Sequence, residues 1–347
     1  MAKFMKHVVI GKILELGLVP VFYQDDLETA KKIVQACVDG GQKVVEFTNR
    51  GDFAYQVFAE LAKWVNMQFN DVIIGVGSVI DPVTAALYIN SGANFVVGPV
   101  FNPEIAKVCN RRKVPYSPGC GSASEISEAE EMGCDIVKVF PGEEVGGPAF
   151  IKNLLAPCPW VKLMPTGGVD MTRESISEWI KAGAAALGIG SKLISKELVA
   201  AGDFEAITKK TEQCLWWIKE ARGTPLFLGI EHPGLYPDKA SAEEITNWYA
   251  ETFKFTKTEG NSSFFISGQG TGRIEIMKKP EPVKCHIAVR VSNFEEACKQ
   301  LQDKGVKLEE PKISKTAKAV YLKESDPAGN RVHLLYMAPK NSSPPFL

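Results

Sequence analysis

Through the first two-thirds of the chain, short apolar runs rich in β-branched residues alternate with longer amphipathic stretches. The runs cover residues 18–22, 43–47, 72–76, 94–97, 114–117, 135–140, 161–164 and 185–189. Between them apolar residues recur at helical spacing, over 27–38, 53–65, 83–90, 104–111, 124–132, 150–155 and 173–182. Near-continuous apolar runs of this length fit strands buried on both faces, and the helical period marks helices with one buried face. Strand starts lie roughly 20 to 30 residues apart, the repeat of a βα unit. Glycine follows several of the helices (Gly40-Gly41, Gly92, Gly133, Gly183), where it can end a helix in the left-handed conformation. Eight such units predict an α/β fold closed into a (β/α)8 TIM barrel. An open doubly wound sheet is the rival, but it rarely shows eight units this regular. Residues 1–16 read as an amphipathic helix and 204–221 as a long closing helix.

The pattern breaks at Arg222-Gly223-Thr224-Pro225. This predicts a barrel over 1–222, a linker over 223–227 and a second domain over 228–340. The second domain reads strand 228–235, helix 242–253, strands 263–266 and 273–277. The order then recurs as strand 285–291, helix 294–304, strands 319–323 and 331–336. Two tandem βαβββ modules in an α+β domain fit this repeat, each with one short strand that the pattern does not place.

Composition narrows the partners more than the fold. The 347 residues carry a formal net charge of −1, which points away from nucleic acid and from an acidic membrane surface. No apolar run approaches the roughly 18 residues that span a bilayer. The N-terminal stretch lacks the apolar core of a signal peptide, so a cytoplasmic location is expected. The eight cysteines are scattered without a CxxC pair, as expected of reduced, mostly buried thiols.

Five segments fall at the C-terminal ends of predicted strands, the active-site end of a TIM barrel. They are Glu46-Phe47-Thr48-Asn49-Arg50, Gly75-Val76-Gly77-Ser78, Gly98-Pro99-Val100-Phe101, Lys138-Val139-Phe140-Pro141 and Pro165-Thr166-Gly167-Gly168. Lys138 sits among Ile136, Val137, Val139 and Phe140, where desolvation disfavours the ammonium and lowers its pKa. A neutral amine there can attack a carbonyl to form a Schiff base, an electron sink for C–C cleavage. Read alone, Lys138 also fits a lysine snorkelling at a strand end. Glu46 ends the second strand, where burial suits a carboxyl to acid–base work; pairing with Arg50 is its structural alternative. Arg50 offers a two-point fork for a substrate carboxylate. Thr166-Gly167-Gly168 and Gly188-Ile189-Gly190-Ser191 present backbone N–H groups after strands seven and eight, the frequent phosphate site of this fold. Lys43 and Lys162 are rival nucleophiles, but Lys43 begins its strand and Lys162 lies well short of the Thr166-Gly167 turn.

Taken in order, these segments closely resemble the 2-keto-3-deoxy-6-phosphogluconate / 4-hydroxy-2-oxoglutarate aldolases, over about residues 8–222. The resemblance implies a class I lyase that needs no cofactor, takes a small keto-acid substrate, releases pyruvate and assembles as a homotrimer. By position it makes Lys138 the Schiff-base lysine and Glu46 the acid/base. Arg50 and Ser78 then hold the pyruvyl carboxylate, Pro99 and Phe140 wall the site and Thr166 lines it. Gly167, Gly168, Gly190 and Ser191 bind phosphate. Three positions depart from the family pattern. Ser78 stands where threonine is frequent, Asn49 replaces an apolar residue, and Lys192 replaces an aromatic and adds a cation beside the phosphate.

Three of the chain's four histidines fall on predicted strands of the second domain. Each module contributes its first-strand and last-strand residue, His232 with Glu275 and His286 with His333. Two facing modules would gather these into one cup suited to a divalent transition metal such as zinc, nickel, iron or manganese. This half resembles the vicinal oxygen chelate (glyoxalase-like) family over about 228–337, with His333 where that family often has glutamate. The resemblance implies metal-dependent isomerisation, epimerisation or dioxygenation. The alternative is a non-catalytic sensor or oligomerisation module.

Overall fold

The computed structural model describes residues 2–268, 272–282, 285–314 and 317–337. The expected helix start at Met1 and the expected domain end at 340 lie outside the described residues. The chain divides into two compact units, the first ending at Gly223 and the second beginning at Thr224. No helix among the described residues is long and apolar enough to cross a membrane.

The first unit carries strands β1 (Leu18–Phe22), β2 (Val44–Thr48), β3 (Ile73–Gly77), β4 (Val96–Val97), β5 (Tyr116–Ser117), β6 (Gly119–Cys120), β7 (Val137–Val139), β8 (Leu163–Pro165) and β9 (Leu187–Ile189). Every pairing is parallel. One sheet runs β5-β4-β3-β2-β1-β9 and the other β6-β7-β8. Both seams are narrow. Only Pro118 separates β5 from β6; it has no N–H to give the ladder, but its carbonyl accepts from Lys138 N–H at 3.0 Å. At the other seam Thr166 bridges Gly188, and Ala185 N–H donates to Leu163 at 2.8 Å. The ring is the expected eight-stranded barrel, with one correction: the run read as 114–117 continues past the proline to Cys120.

Helices follow the strands as the periodicity predicts, for example Leu27–Asp39, Ala54–Gln68 and Arg173–Lys181. Of the glycine pair after the first of these, Gly41 and not Gly40 takes the left-handed conformation, at φ 92°. The reading missed one helix, Lys196–Ala201, which is too short to show a period.

Strand alternation divides the side chains between two cores. Val45, Phe47, Val137 and Val139 face the helices. Val19, Val44, Ile73, Phe95, Ile136, Met164 and Ala186 fill the barrel floor. Val9 and Ile13 of helix Lys6–Leu16 plug it from below. Glu46 and Lys138 each lie two residues beyond a floor residue, Val44 and Ile136, so alternation turns both into the barrel above the apolar plug.

The second unit is one eight-stranded sheet in the order β11-β12-β13-β10-β14-β17-β16-β15. Its strands are β10 (Phe227–Leu235), β11 (Thr256–Glu259), β12 (Ser263–Ser267), β13 (Arg273–Met277), β14 (Cys285–Val291), β15 (Lys312–Ile313), β16 (Ala317–Tyr321) and β17 (Arg331–Met337). Helix Ala242–Phe253 follows β10 and helix Phe294–Asp303 follows β14, so both modules read βαβββ. The strands that the sequence pattern could not place are β11 and β15, at the two sheet edges. Antiparallel pairing of β10 with β14 joins the modules about a pseudo-twofold axis.

Candidate functional site

Lys138 and Glu46 are 6 % and 2 % exposed, on opposite sides of the barrel's polar layer. Burial pulls the Lys138 ammonium below its ordinary pKa; the Glu46 charge opposes this shift and Arg50 adds to it. Burial likewise pushes the Glu46 carboxyl up, opposed by Lys138 and Arg50. The Lys138 Nζ lies 4.6 Å from the Phe140 ring centre. Glycines make room for this layer. A Cβ on Gly77 would lie 1.8 Å from Glu46 Oε1, and one on Gly188 would lie 2.3 Å from Thr166 Oγ1. Gly77 is therefore a steric requirement of the Glu46 carboxyl, whereas Gly75 makes room for the Phe95 ring.

Arg50 and Ser78 meet at the rim, where Arg50 Nε donates to Ser78 Oγ at 3.3 Å. Ser78 follows β3 at φ 60°, the left-handed region, which turns the chain sharply as it leaves the barrel. Gly167 and Gly168 follow β8 at φ 87° and 81°. A Cβ on Gly168 would lie 2.3 Å from that of Glu143. After β9, Leu193 and Ile194 both donate to Gly190 O at 2.9 Å, so a helical turn starts at Gly190. Lys192, expected to add a cation beside the phosphate, pairs with Asp170 at 2.8 Å and ties the two glycine loops together.

In the second unit, His232, His286 and His333 are buried, and one ligand atom from each lies within 4.8 Å of the others. Glu275 Oε2 reaches His232 Nε2 at 3.0 Å and His286 Nε2 at 3.2 Å. Ser263 Oγ donates to the other carboxylate oxygen at 2.6 Å. Strand register builds the cup. Glu275 and His286 both pair with Gly234, while His232 and His333 both pair with Ala288. The central residues are small for a reason: a Cβ on Gly234 would lie 1.8 Å from the His286 ring. Burial and the neighbouring imidazoles push the His333 pKa down to about 3, which keeps its ring neutral. Burial works against the Glu275 carboxylate, but hydrogen bonds from His232, His286 and Ser263 outweigh it and hold the group well below its usual range. Both ring nitrogens of His333 and Nδ1 of His232 are buried without a hydrogen-bond partner. Buried polar atoms normally have partners; a buried imidazole with neither nitrogen partnered, grouped with two more histidines and a carboxylate, fits a divalent cation.

Residues 9–210 match the family described as KDPG and KHG aldolase, more than half of the chain. The chain belongs to that family. Residues 239–334 match the glyoxalase/bleomycin resistance protein/dioxygenase superfamily. A 2-dehydro-3-deoxy-phosphogluconate aldolase of Treponema pallidum is 33 % identical over 209 residues, 60 % of this chain and 97 % of that protein. The KHG/KDPG aldolase of Escherichia coli K12 is 30 % identical over 204 residues, 58 % of this chain and 93 % of its own length. Among solved structures, the Legionella pneumophila KDPG aldolase, captured with pyruvate as a covalent carbinolamine, superposes with a TM-score of 0.54 at 27 % identity. It covers 60 % of this chain and 98 % of that one. A designed protein cage built by fusing symmetric oligomeric domains superposes with the same score at 25 % identity, over 60 % of this chain and 73 % of its own.

In this aldolase barrel, Glu46, Lys138 and Phe140 come together at the centre, and Arg50 with Ser78 at one rim. Thr166 to Gly168 and Gly190 to Ser191 occupy adjoining loops. Pro99 is half-buried beyond β4, its carbonyl 2.2 Å from where a Cβ on Gly119 would stand. The rival lysines lie elsewhere: Lys43 pairs with Asp71 at 3.4 Å where β2 begins, and Lys162 is exposed. The four expected cup residues converge. Sequence reasoning placed Gly77 and Gly188 in its motifs without their steric role, and missed Gly234. The signal for Gly188 and Gly234 was a glycine in a strand interior, which often marks a close approach.

Proposed function

We propose that the barrel cleaves a 2-keto-3-deoxy-6-phospho sugar acid or 4-hydroxy-2-oxoglutarate to pyruvate and an aldehyde, through a Schiff base on Lys138. The protein is a lyase by family. The observation that carries the residue assignment is a lysine with a lowered pKa sharing one buried layer with a carboxyl whose pKa is raised, on an apolar floor. Lys138 attacks the substrate carbonyl, and Glu46 moves protons at the carbinolamine and at the aldol hydroxyl. Arg50 and Ser78 hold the substrate carboxylate. The backbone of Gly167, Gly168, Gly190 and Ser191 receives a phosphate where the substrate has one, and Thr166, Pro99 and Phe140 shape the space between.

The test is pyruvate release by the full chain from each substrate. Arg50→Ala is expected to raise KM about 10- to 100-fold, since a hydrogen bond to a charged group is worth about 1.5–3 kcal/mol. An unchanged KM removes Arg50 from carboxylate binding.

For the second unit we propose a divalent-metal centre held by His232, Glu275, His286 and His333. When bound, the ion would supply Lewis-acid polarisation of an oxygen donor. The pre-formed cup favours metal chemistry, an isomerisation or epimerisation, over a sensor or oligomerisation role. The full chain is expected to bind one equivalent of Mn(II) or Zn(II), and His286→Ala to lose it by elemental analysis. EDTA is expected to leave aldol cleavage unchanged, as a Schiff-base mechanism requires no metal; cleavage lost to EDTA and restored by metal would contradict it.

We also propose a homotrimer. Helix Pro82–Asn90 exposes Val83 (77 %) and Leu87, with Ile80 just before it. An apolar stripe this open suits a subunit contact. Val83→Asp is expected to shift the sedimenting species toward monomer; a wild-type monomer would overturn the assignment.

A further inference from the structure

The two modules of the second unit repeat more than their metal-cup positions. In the first, Phe265 on β12 faces Glu275, and Arg273, two residues before Glu275, lies 4.4 Å over the Phe265 ring. In the second, Tyr321 on β16 faces His333, and Arg331, two residues before His333, lies 4.2 Å over the Tyr321 ring. Strand alternation places both arginines on the cup face. The modules thus carry matching guanidinium–aromatic walls on either side of the histidines.

Their charge balance differs. Arg331 is bracketed by Glu281 at 3.3 Å and Glu309 at 3.0 Å, two carboxylates to one guanidinium. Arg273 shares Glu231 with Arg290, at 3.5 and 2.8 Å, two guanidiniums to one carboxylate. Glu231 falls where the β10 register shifts between Ile230 and His232. The Nε of Arg273 is buried without a hydrogen-bond partner, a costly state for a cationic donor. Among these ion pairs the first wall carries one positive charge in excess and the second one negative.

We propose that the cup binds a small monoanionic carboxylic acid with a second oxygen donor, its carboxylate held by Arg273 and Arg290 and its second oxygen turned to the histidines. The guanidinium fork matches a planar carboxylate. A single excess charge suits a monoanion better than a phosphate dianion, which would bring one buried charge too many. Arg273 and Glu275 are about 7 Å apart along the strand, a gap that a three- or four-carbon acid spans together with the side chains. The position of the second oxygen rests on the metal reading above; the carboxylate site does not.

The test uses the full chain with Mn(II), 3-hydroxybutyrate as probe and its neutral amide as control. Neither forms a Schiff base. Phenylglyoxal modification of the Arg273 peptide, followed by mass spectrometry, reports the carboxylate site. Water-proton relaxation by Mn(II) reports the metal. The acid is expected to slow Arg273 modification several-fold, and the amide and inorganic phosphate are not. In Arg273→Gln, with Mn(II) loading intact as the check on folding, the acid concentration that changes the relaxation is expected to rise about ten-fold or more. Arg273→Lys, which keeps charge but not the fork, should lose less, and Arg331→Gln little. Equal protection by amide or phosphate, or an Arg273→Gln variant that titrates like the wild type, overturns the proposal. Protection without Mn(II) loading leaves the carboxylate site standing and removes the metal reading instead.

Discussion

Lys138→Ala is expected to lower kcat for aldol cleavage by at least ~10⁴-fold, since the loss of a covalent nucleophile removes most of an enzyme's chemical advantage. It is also expected to abolish the adduct that borohydride traps from the wild type with pyruvate. The reason lies in the barrel layer. Lys138 is desolvated, its ammonium is disfavoured, and its Nζ lies over the Phe140 ring. The sign of the pH dependence follows. Schiff-base formation needs the neutral amine, and burial places the Lys138 transition below the ordinary lysine value of 10.5. Activity should rise with pH through that lowered transition and fall as pH drops beneath it. Lys138 and Glu46 are electrostatically coupled, so the observed steps belong to the pair. Mass spectrometry of the trapped peptide decides the assignment. An adduct that persists in Lys138→Ala, or maps to Lys43 or Lys162, would overturn it. Lys43 is engaged with Asp71 where its strand begins, and Lys162 is exposed to water, so neither shares the buried layer of Glu46.

Much of this was readable in the sequence because barrel strands impose a strict parity. Once Val44 and Ile136 are read as apolar floor positions, Glu46 and Lys138 must share their face. Pairing one residue from the first and last strand of each βαβββ module likewise gathers His232, Glu275, His286 and His333. What the sequence did not carry was cross-strand register and which side chain each glycine makes room for. Nothing in the apolar pattern says that Gly77 stands opposite the Glu46 carboxyl, or that Gly234 leaves space for the His286 ring. Pro118 hid the second half of its strand because a residue without an N–H reads as a terminator. Short helix Lys196–Ala201 and edge strands β11 and β15 lack the length for a period to emerge. The pairing of Lys192 with Asp170 was not legible because Asp170 lies on a different loop and meets it only in the folded barrel.

Glu46→Gln is expected to lower kcat by about 10²–10⁴-fold, the usual worth of a positioned acid–base group, while pyruvate is still trapped on Lys138. Glutamine keeps the shape that Gly77 accommodates but cannot move a proton. Attack by Lys138 survives, and the proton transfers around the carbinolamine and the aldol hydroxyl slow. A structural carboxylate would not separate trapping from turnover in this way. Two further readouts follow from the electrostatics. The Glu46 charge holds the Lys138 pKa up against burial; without it, the acid limb of pyruvate trapping should move to lower pH. Burial also raises the Glu46 pKa above its unfolded value. The stability this group contributes is therefore present below the unfolded pKa and lost as pH rises through the folded one. Glutamine never ionises, so the variant should melt at or above the wild-type temperature on the alkaline side of that transition, and the advantage should vanish in acid. A variant that loses turnover and trapping together, or melts below the wild type at alkaline pH, would assign Glu46 to the scaffold and leave the proton transfer to another group.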